Sequence, residues 1–199
     1  MTIGLSQFKN IKTEFVRKSI HFLIALSPVL AVRDRFFTLV ILMAGILLYL
    51  YFEMMRLRGH TIPLISSLTV QASRQRDEGK LVLGPVTLGL GSLFSLAFFP
   101  PQIAAIAVYA LAFGDGFASL VGKPFGRIRP AFLLGKSIEG SLACFTAVFI
   151  ASWKVSGSLP VTLTAAFTAT LIEALPLEDF DNIAIPLTVA LAVSLVNFT

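Results

Sequence analysis

The amino-acid sequence predicts an all-α integral membrane protein, a single bundle of about seven transmembrane helices. Of the 199 residues, 56% are hydrophobic and only 14% are charged, a composition far from that of soluble domains. The apolar residues come in consecutive runs, most of them close to the ~20 helical residues that cross a hydrocarbon layer of ~30 Å. Residues 1–199 are therefore expected to form one polytopic domain.

The predicted spans follow one another with short connections. They lie near residues 19–32, 36–52, 81–99, 101–121, 137–153, 158–174 and 183–198. The first is interpreted as an uncleaved helix after the basic segment 1–18, because a second span follows almost at once. The third contains Gly84, Pro85, Gly89 and Gly91, which predict either a kink or the close approach of a neighbouring helix. Residues of segment 53–80 are expected to form a cytoplasmic loop or an interfacial helix.

Lysine and arginine residues are concentrated on one side of the predicted bundle. With a cytoplasmic N-terminus, the outer segments hold only Arg33, Arg35 and Lys154, and every acidic residue except Asp34 lies on the inner side. Positively charged loops are retained on the cytoplasmic face of a membrane. The pattern predicts a multi-pass protein of the cytoplasmic (inner) membrane, with segment 1–18 inside and an active site that faces the cytoplasm.

Asp115 is the most unusual residue of the predicted spans. It lies ~9 Å inside the cytoplasmic end of the fourth span by helical rise, where an ionised carboxylate costs roughly 2.5–3.5 kcal/mol on insertion scales. Ala118, Ser119 and Gly122 follow at helical spacing and form a face of small residues. This face admits either a ligand or a neighbouring helix, and Asp115 itself is either a site residue or the partner of a basic residue in helix packing.

The segment after Asp115 has features of a phosphate site. It combines glycines with basic residues, namely Gly122, Lys123, Gly126, Arg127 and Arg129, which offer backbone amides and positive charge to an anion. Ser137 stands where an N-cap belongs at the start of the fifth span, between Lys136 and Glu139. A helix N-terminus beside a lysine favours phosphate binding. The alternative is that these basic residues only set the topology.

Two more polar clusters are expected on the cytoplasmic side. One forms a single helical face: Glu14, Arg17, Lys18 and His21. The other forms an acidic turn before the last span: Glu173, Glu178, Asp179, Asp181 and Asn182. Carboxylate oxygens are the ligands that Mg²⁺ prefers, and Glu173 and Asp181 adjoin the spans. The alternatives are a hydrogen-bonded structural histidine and a turn that is merely solvated.

Three ordered motifs resemble the polyprenol kinase family, which includes dolichol kinase, phytol kinase and CTP-dependent diacylglycerol kinase. They are residues 14–21, 114–126 and 135–140, and Glu173, Asp181-Asn182 and Pro186 extend the resemblance. The short chain is most similar to the compact phytol-kinase-like members. The resemblance implies an enzyme that moves the γ-phosphoryl group of CTP, or of another nucleoside triphosphate, to the hydroxyl of a polyprenol, a phytol-like alcohol or diacylglycerol, with Mg²⁺ as cofactor.

Chemistry and resemblance together give a hypothesis for the site. The predicted catalytic residues are Asp115, Lys136, Glu139 and His21, with Asp115 the first choice to take the hydroxyl proton. The predicted nucleotide- and phosphate-binding residues are Gly122, Lys123, Gly126, Arg127, Ser137, Arg17 and Lys18. The predicted Mg²⁺ ligands are Asp115, Glu139, Glu173 and Asp181. Phosphoryl transfer needs positioning and charge neutralisation more than covalent help.

The expected partners are a nucleoside triphosphate, a membrane lipid alcohol and the bilayer, with no nucleic acid; the oligomeric state and the lipid acceptor are left open. Two other functions remain at this point. A phosphatidate cytidylyltransferase-like enzyme would form a CDP-lipid, since that group is distantly similar to the polyprenol kinases. A transporter or channel would use Asp115 to line an ion path, although the outer half of the bundle is nearly bare of charge.

Overall fold

A computed structural model describes residues 5–60 and 80–197 of the chain, and this part is all-helical, as predicted. The helices are α1 Leu5–Ile24, α2 Ser27–Arg33, α3 Arg35–Leu57, α4 Gly84–Phe98, α5 Pro101–Phe125, α6 Ile138–Ser156, α7 Leu159–Glu173 and α8 Asp181–Asn197. Most of the predicted connection 53–80 lies outside the described residues. The seven apolar runs of the sequence thus fall on helices within the part that the structure describes.

Three of these helices have the length and the apolar composition of helices that cross a membrane. They are α3 with 23 residues, α5 with 25 and α6 with 19. Helices α4, α7 and α8 are equally apolar in character but shorter than 18 residues. A helix rises ~1.5 Å per residue, so the longer three reach across most or all of a hydrocarbon layer of ~30 Å.

The prediction of one helix over residues 19–32 is wrong, because the chain turns within this run. Helix α1 begins far earlier, at Leu5, and ends at Ile24, and α2 begins at Ser27. Pro28 occupies the first turn of α2, where its missing amide hydrogen costs nothing, whereas inside a continuous helix it would remove a hydrogen bond. The basic N-terminal segment is therefore helical from Leu5 onward and leads directly into the site.

The glycines of the third predicted span permit close contacts between helices. A Cβ atom at Gly91 would collide with the carbonyl oxygen of Asn182 in α8, and one at Gly89 would lie 2.7 Å from Cγ1 of Ile46 in α3. Small residues let helix backbones approach closely in membranes, where no hydrophobic driving force operates between helices. The structure thus realises the close approach that the glycines of α4 predict.

Helix α5 contains a π-helical stretch at Ala110–Asp115 that places Asp115. A π-turn takes in an extra residue and changes the direction in which the following side chains project. The stretch is held tightly against α6, because a Cβ atom at Gly114 would lie 2.8 Å from Cγ2 of Val148 and 3.2 Å from Sγ of Cys144. Asp115 is the last residue of this stretch, directly before the regular helical end of α5.

The main hydrophobic core lies where α5, α6, α7 and α8 meet. Its fully buried members include Ile106, Leu111, Val148, Ala165 and Val189. The alternating direction of these helices brings the C-terminal ends of α5 and α7 and the N-terminal ends of α6 and α8 to one end of the bundle. Residues of all four ends, together with α1, line one polar cavity there.

We expect Gly91→Ala to destabilise the protein and Gly45→Ala not to. The new methyl group at position 91 meets backbone, which cannot move aside cheaply, whereas nothing lies within 4 Å of a Cβ atom at Gly45 in α3. Overpacking costs about 1–3 kcal/mol, and replacing a helical glycine by alanine in open space gains roughly 0.5–1 kcal/mol. Thermal unfolding of both variants in the same detergent checks this; equal shifts of Tm would contradict the close contact of α4 and α8.

Candidate active site

The polar cavity has a volume of about 350 Å³. It brings together eight of the residues predicted for the site: Arg17, Asp115, Gly122, Lys123, Lys136, Ser137, Glu173 and Asp181. They come from distant parts of the sequence, from α1, the end of α5, the start of α6, the end of α7 and the start of α8. The cavity therefore has both cationic and anionic side chains in its wall.

Asp115 lies in this wall as half of a buried ion pair. Its side chain is 4% exposed, and the ammonium of Lys18, which is fully buried, donates to Oδ2 of Asp115. Nδ1 of His21 lies 3.1 Å from the same oxygen. The pairing with a basic residue that the sequence left open is therefore present. Because both contacts involve one oxygen, the other carboxylate oxygen of Asp115 is taken by neither.

The position of Lys18 corrects one predicted role. Its ammonium is inside the protein and occupied by Asp115, and Lys18 does not line the cavity. The predicted phosphate-binding role of Lys18 therefore lacks the exposure it requires. Arg17, one residue earlier, does line the cavity. His21 is 3% exposed and touches the site only through Asp115.

Glu14 joins α1 to the end of α5. Its carboxylate accepts hydrogen bonds from Nη2 of Arg17, at 2.5 Å, and from Nζ of Lys123. Burial alone would raise the pKa of Glu14, but the positive charges of Arg17, Lys123 and Lys18 outweigh burial and lower this pKa to about 2. Glu14 is thus a permanent anion that holds two cavity cations. Glu14 belongs to the first of the three sequence motifs, but the sequence predicted no role for it.

Lys136 and Ser137 organise the start of α6. Nζ of Lys136 donates to Oε1 of Glu173 over 2.5 Å, which ties the start of α6 to the end of α7. Oγ of Ser137 accepts a hydrogen bond of 3.1 Å from the amide of Gly140. Ser137 is therefore the N-cap of α6, as predicted, and its hydroxyl is used for capping.

The glycines of the second motif serve helix contact instead of anion binding. Gly122 and Lys123 belong to α5, which ends at Phe125, so the predicted loop begins only at Gly126. A Cβ atom at Gly122 would lie 3.1 Å from Cα of Gly140, and one at Gly126 would collide with Ser137. Helices α5 and α6 therefore touch backbone to backbone along this seam.

The prediction of free backbone amides in this segment is wrong for Gly126 and Arg127, and the amide of Ile128 is not free either. The amide of Gly126 donates to the carbonyl of Gly122 over 3.1 Å. The amides of Arg127 and Ile128 donate to the carboxylate of Glu139 over 2.9 Å and 3.2 Å. Because these donors are already satisfied, they cannot cradle a phosphate without first losing their partners.

Glu139 is consequently separated from the cavity. Its carboxylate is turned to the loop amides on the outer side of α6, and it does not line the cavity. The predicted metal-binding and catalytic roles of Glu139 lose the geometry that they require. Arg127 is exposed and also lies outside the cavity wall, as does Gly126.

An apolar groove of about 550 Å³ runs along the outer side of the α5–α6 seam. It is lined by Phe117, Val121, Glu139, Leu142, Ala143, Thr146, Ala147 and Ile150. Neighbouring residues of the same two helices line the polar cavity, among them Ala118 and Ser141. The apolar groove and the polar cavity therefore lie back to back on α5 and α6.

The predicted set of four metal-binding carboxylates is not assembled. Within the described residues, no three side chains of His, Cys, Asp or Glu lie close enough to form a metal site by themselves. Asp115, Glu173 and Asp181 nevertheless line the same cavity. The acidic turn is thus divided, because Asp179 stands outside the cavity wall while Asp181 is part of it.

Among the cavity residues with polar side chains, four were not assigned to the site from the sequence: Ser119, Arg129, Ser141 and Glu178. Ser141 had a recognisable signal, since it lies four residues after Ser137 and hence on the same face of α6. Arg129 donates to the carbonyls of Gly135 and Gly122 over 2.7 Å and 2.9 Å. Arg129 therefore fixes the loop shape beside the cavity.

Curated proteins with similar sequences include several lipid kinases. Phytol kinase 1 of Arabidopsis thaliana, a chloroplastic protein, is 29% identical over 156 residues, which cover 68% of this chain and 51% of that protein. A probable chloroplastic phytol kinase 3 of Glycine max is 33% identical over 147 residues, covering 62% and 44%. CTP-dependent diacylglycerol kinase 1 of Saccharomyces cerevisiae is 29% identical over 105 residues, covering 53% and 36%.

The chain spans about half or less of the length of these relatives, from 36% to 51%. No protein-family profile matches it, and no solved structure shows significant similarity to it. The relatives carry the names that the three sequence motifs predict. The chain is therefore similar to the polyprenol kinase family, through phytol kinases and a CTP-dependent diacylglycerol kinase.

Proposed function

We propose that the chain is a membrane-embedded lipid kinase that moves the γ-phosphoryl group of CTP, or of another nucleoside triphosphate, to the hydroxyl of a lipid alcohol. The observation that carries the proposal is the charged cavity that lies back to back with an apolar groove on two helices of membrane-spanning length. A phosphate donor fits the first hollow and a hydrocarbon chain fits the second. The names of the relatives, CTP-dependent diacylglycerol kinase and phytol kinase, support both a nucleotide donor and a lipid acceptor.

The cationic wall suits a triphosphate. Arg17 lines the cavity from α1, Lys123 from the end of α5 and Lys136 from just before the start of α6. In the structure Lys123 is bound to Glu14 and Lys136 to Glu173, so a bound nucleotide would share these cations with their acidic partners. Electrostatic stabilisation of the transferred phosphoryl group is the main task of such a site.

The acidic residues of the cavity fit Mg²⁺ bound together with a nucleotide. Mg²⁺ is usually held by one or two carboxylates, with water and substrate phosphates completing its shell. Asp115 and Asp181 supply such a pair from α5 and α8, and an isolated three-carboxylate site is not required. When bound, Mg²⁺ would neutralise part of the charge on the phosphates, while Lys18 holds the carboxylate of Asp115 in place.

The acceptor is a lipid alcohol of the polyprenol, phytol-like or diacylglycerol type, whose chain lies in the groove. The proposal includes the seven-span bundle, with the cavity at the cytoplasmic end of the helices. Two observations support this orientation. The cavity lies where the ends of four helices meet at one end of the bundle. Most Lys and Arg residues belong to segments that the predicted topology places on the cytoplasmic side.

A product assay tests the function. Purified protein in lipid nanodiscs is given Mg²⁺, CTP or ATP labelled at the γ-phosphate, and one of phytol, a polyprenol, diacylglycerol or phosphatidate. We expect the label on the lipid and a nucleoside diphosphate as the second product. Release of pyrophosphate with formation of a CDP-lipid from phosphatidate would favour the cytidylyltransferase alternative. Formation of neither product with any of these substrates would overturn the proposal.

We expect Asp115→Asn to abolish transfer and to destabilise the protein, because it leaves Lys18 buried without a counter-charge. Removing one partner of a buried ion pair costs about 3–5 kcal/mol. The double variant Lys18→Met/Asp115→Asn should recover much of this stability and none of the activity. Thermal unfolding and the product assay separate the two effects. Recovery of activity in the double variant would show that Asp115 serves only as the partner of Lys18.

The metal proposal makes a prediction for the acidic turn. Asp181→Asn should raise the Mg²⁺ concentration for half-maximal rate by about tenfold or more, the size of loss typical of a damaged metal site. Asp179→Asn is the matched control, because Asp179 belongs to the same turn but not to the cavity wall. Rates measured over a Mg²⁺ series decide the matter. Matching curves for Asp181→Asn and the unaltered protein would remove Asp181 from the metal site.

A further inference from the structure

Ser141 is a cavity residue whose hydroxyl has no partner. Its Oγ atom is shielded from solvent and makes no hydrogen bond within the described residues. Several helical hydroxyls of this protein bond back to the carbonyl four residues earlier, as Thr146 and Ser156 do on the same helix. Ser141 does not, although it lines the cavity. A buried hydroxyl without a partner costs free energy unless a ligand satisfies it.

Glu173 has a second unsatisfied atom in the same cavity. The residue is 2% exposed, and Lys136 binds Oε1 while Oε2 makes no hydrogen bond to any described residue. A buried carboxylate oxygen without a donor is an uncommon feature, because the charge would normally be satisfied by several hydrogen bonds. Ser141 and Glu173 thus present one hydroxyl and one pure acceptor to one cavity. The complementary ligand is a group that both donates and accepts, such as an alcohol.

The other candidate for the proton acceptor, Asp115, has a different place in the proposed site. Oδ2 of Asp115 is bound by the fully buried ammonium of Lys18, and its carboxylate is proposed above as a ligand of Mg²⁺, whereas Oε2 of Glu173 has no donor among the described residues. We infer that Ser141 and Glu173 form the subsite for the hydroxyl of the lipid acceptor, with Ser141 binding the hydroxyl and Glu173 accepting its proton. This inference rests on the proposed kinase function and moves the role of base from Asp115 to Glu173.

The reaction at this subsite balances without another reactant. The lipid oxygen forms a bond to the γ-phosphorus, and the bond between this phosphorus and the β–γ bridging oxygen breaks. The electron pair of the broken bond stays on the β-phosphate, so that a nucleoside diphosphate leaves. The hydroxyl proton moves to Oε2 of Glu173 and passes later to solvent. Lys136 is bound to the other oxygen of Glu173, so it would lie next to both the proposed base and the γ-phosphate.

The fold also indicates the side from which the lipid would reach Ser141. Ser141 lines the polar cavity, and the next two residues of α6, Leu142 and Ala143, line the apolar groove. An alcohol at Ser141 thus has a hydrocarbon surface beside it on the same helix. Nucleotide and lipid would therefore enter from different sides of the α5–α6 seam.

Two measurements test the subsite. The first is binding of phytol and dioleoylglycerol, each compared with its acetate ester, to the full chain in nanodiscs. The second is steady-state kinetics with the alcohol that the product assay identifies. Ser141→Ala should raise the KM for the alcohol about 3- to 10-fold, as expected for one neutral hydrogen bond, and should abolish the preference for alcohol over acetate. Ser152→Ala is the matched control, since Ser152 is a buried, unpartnered serine of α6 that does not line the cavity.

Glu173→Gln preserves the shape of the side chain and an acceptor for Lys136 but cannot take a proton. We expect kcat to fall about 10²- to 10⁴-fold, the usual contribution of a general base, with nucleotide binding retained. Retained binding of the nucleotide also shows that the variant is folded. Near-normal kcat for Glu173→Gln, or equal effects of Ser141→Ala and Ser152→Ala, would overturn the subsite.

The binding comparison keeps this inference separate from the proposed function. If the unaltered protein phosphorylates no lipid but prefers the alcohols over the acetates, and Ser141→Ala removes this preference, the hydroxyl subsite stands and the kinase proposal fails. If the protein is a kinase but shows no such preference, the kinase proposal stands and the subsite fails.

Discussion

The buried ion pair of Lys18 and Asp115 is the interaction on which the rest of the site depends. A charge removed from water is tolerated only with a partner, so neither side chain can occupy its position without the other. The pair joins residues 97 positions apart and therefore makes the N-terminal helix α1 part of the end of the bundle that holds the cavity. With α1 docked, Arg17 reaches the cavity and Glu14 reaches Lys123.

Close helix contact is the second requirement, and glycine supplies it. Helices α5 and α6 meet at Gly122 and Gly140, and α4 meets α8 at Gly91. In a bilayer the lipid chains are as apolar as the side chains, so close van der Waals contact and hydrogen bonds must hold the helices together. The α5–α6 contact also forms the wall between the charged cavity and the apolar groove. A larger residue at Gly122 or Gly140 would push α5 and α6 apart and change the shape of both the cavity and the groove.

Three lysines at this end of the bundle are each paired with a carboxylate. Lys123 is bound to Glu14, Lys136 to Glu173 and Lys18 to Asp115. Such pairing limits the cost of concentrating cations at one end of a membrane bundle. Lys123 and Lys136 stay partly exposed, with 51% and 34% of their side chains accessible, whereas Lys18 is fully buried. The pairs thus divide the lysines into those that a ligand can reach and one that supports the site.

The sequence by itself determined that the apolar runs are helical, that Ser137 is an N-cap and that the chain resembles lipid kinases. These follow from local rules, since apolar runs, capping residues and motifs act within a few neighbouring positions. Only the tertiary structure decided which charges meet. Helical spacing places Lys18 and Glu139 on a face but does not say what lies opposite. The fold turned Lys18 inward to Asp115 and Glu139 outward to the amides of Arg127 and Ile128, and it placed Ser141 in the cavity. Contacts between distant segments depend on how the helices cross, and that is set by the whole bundle.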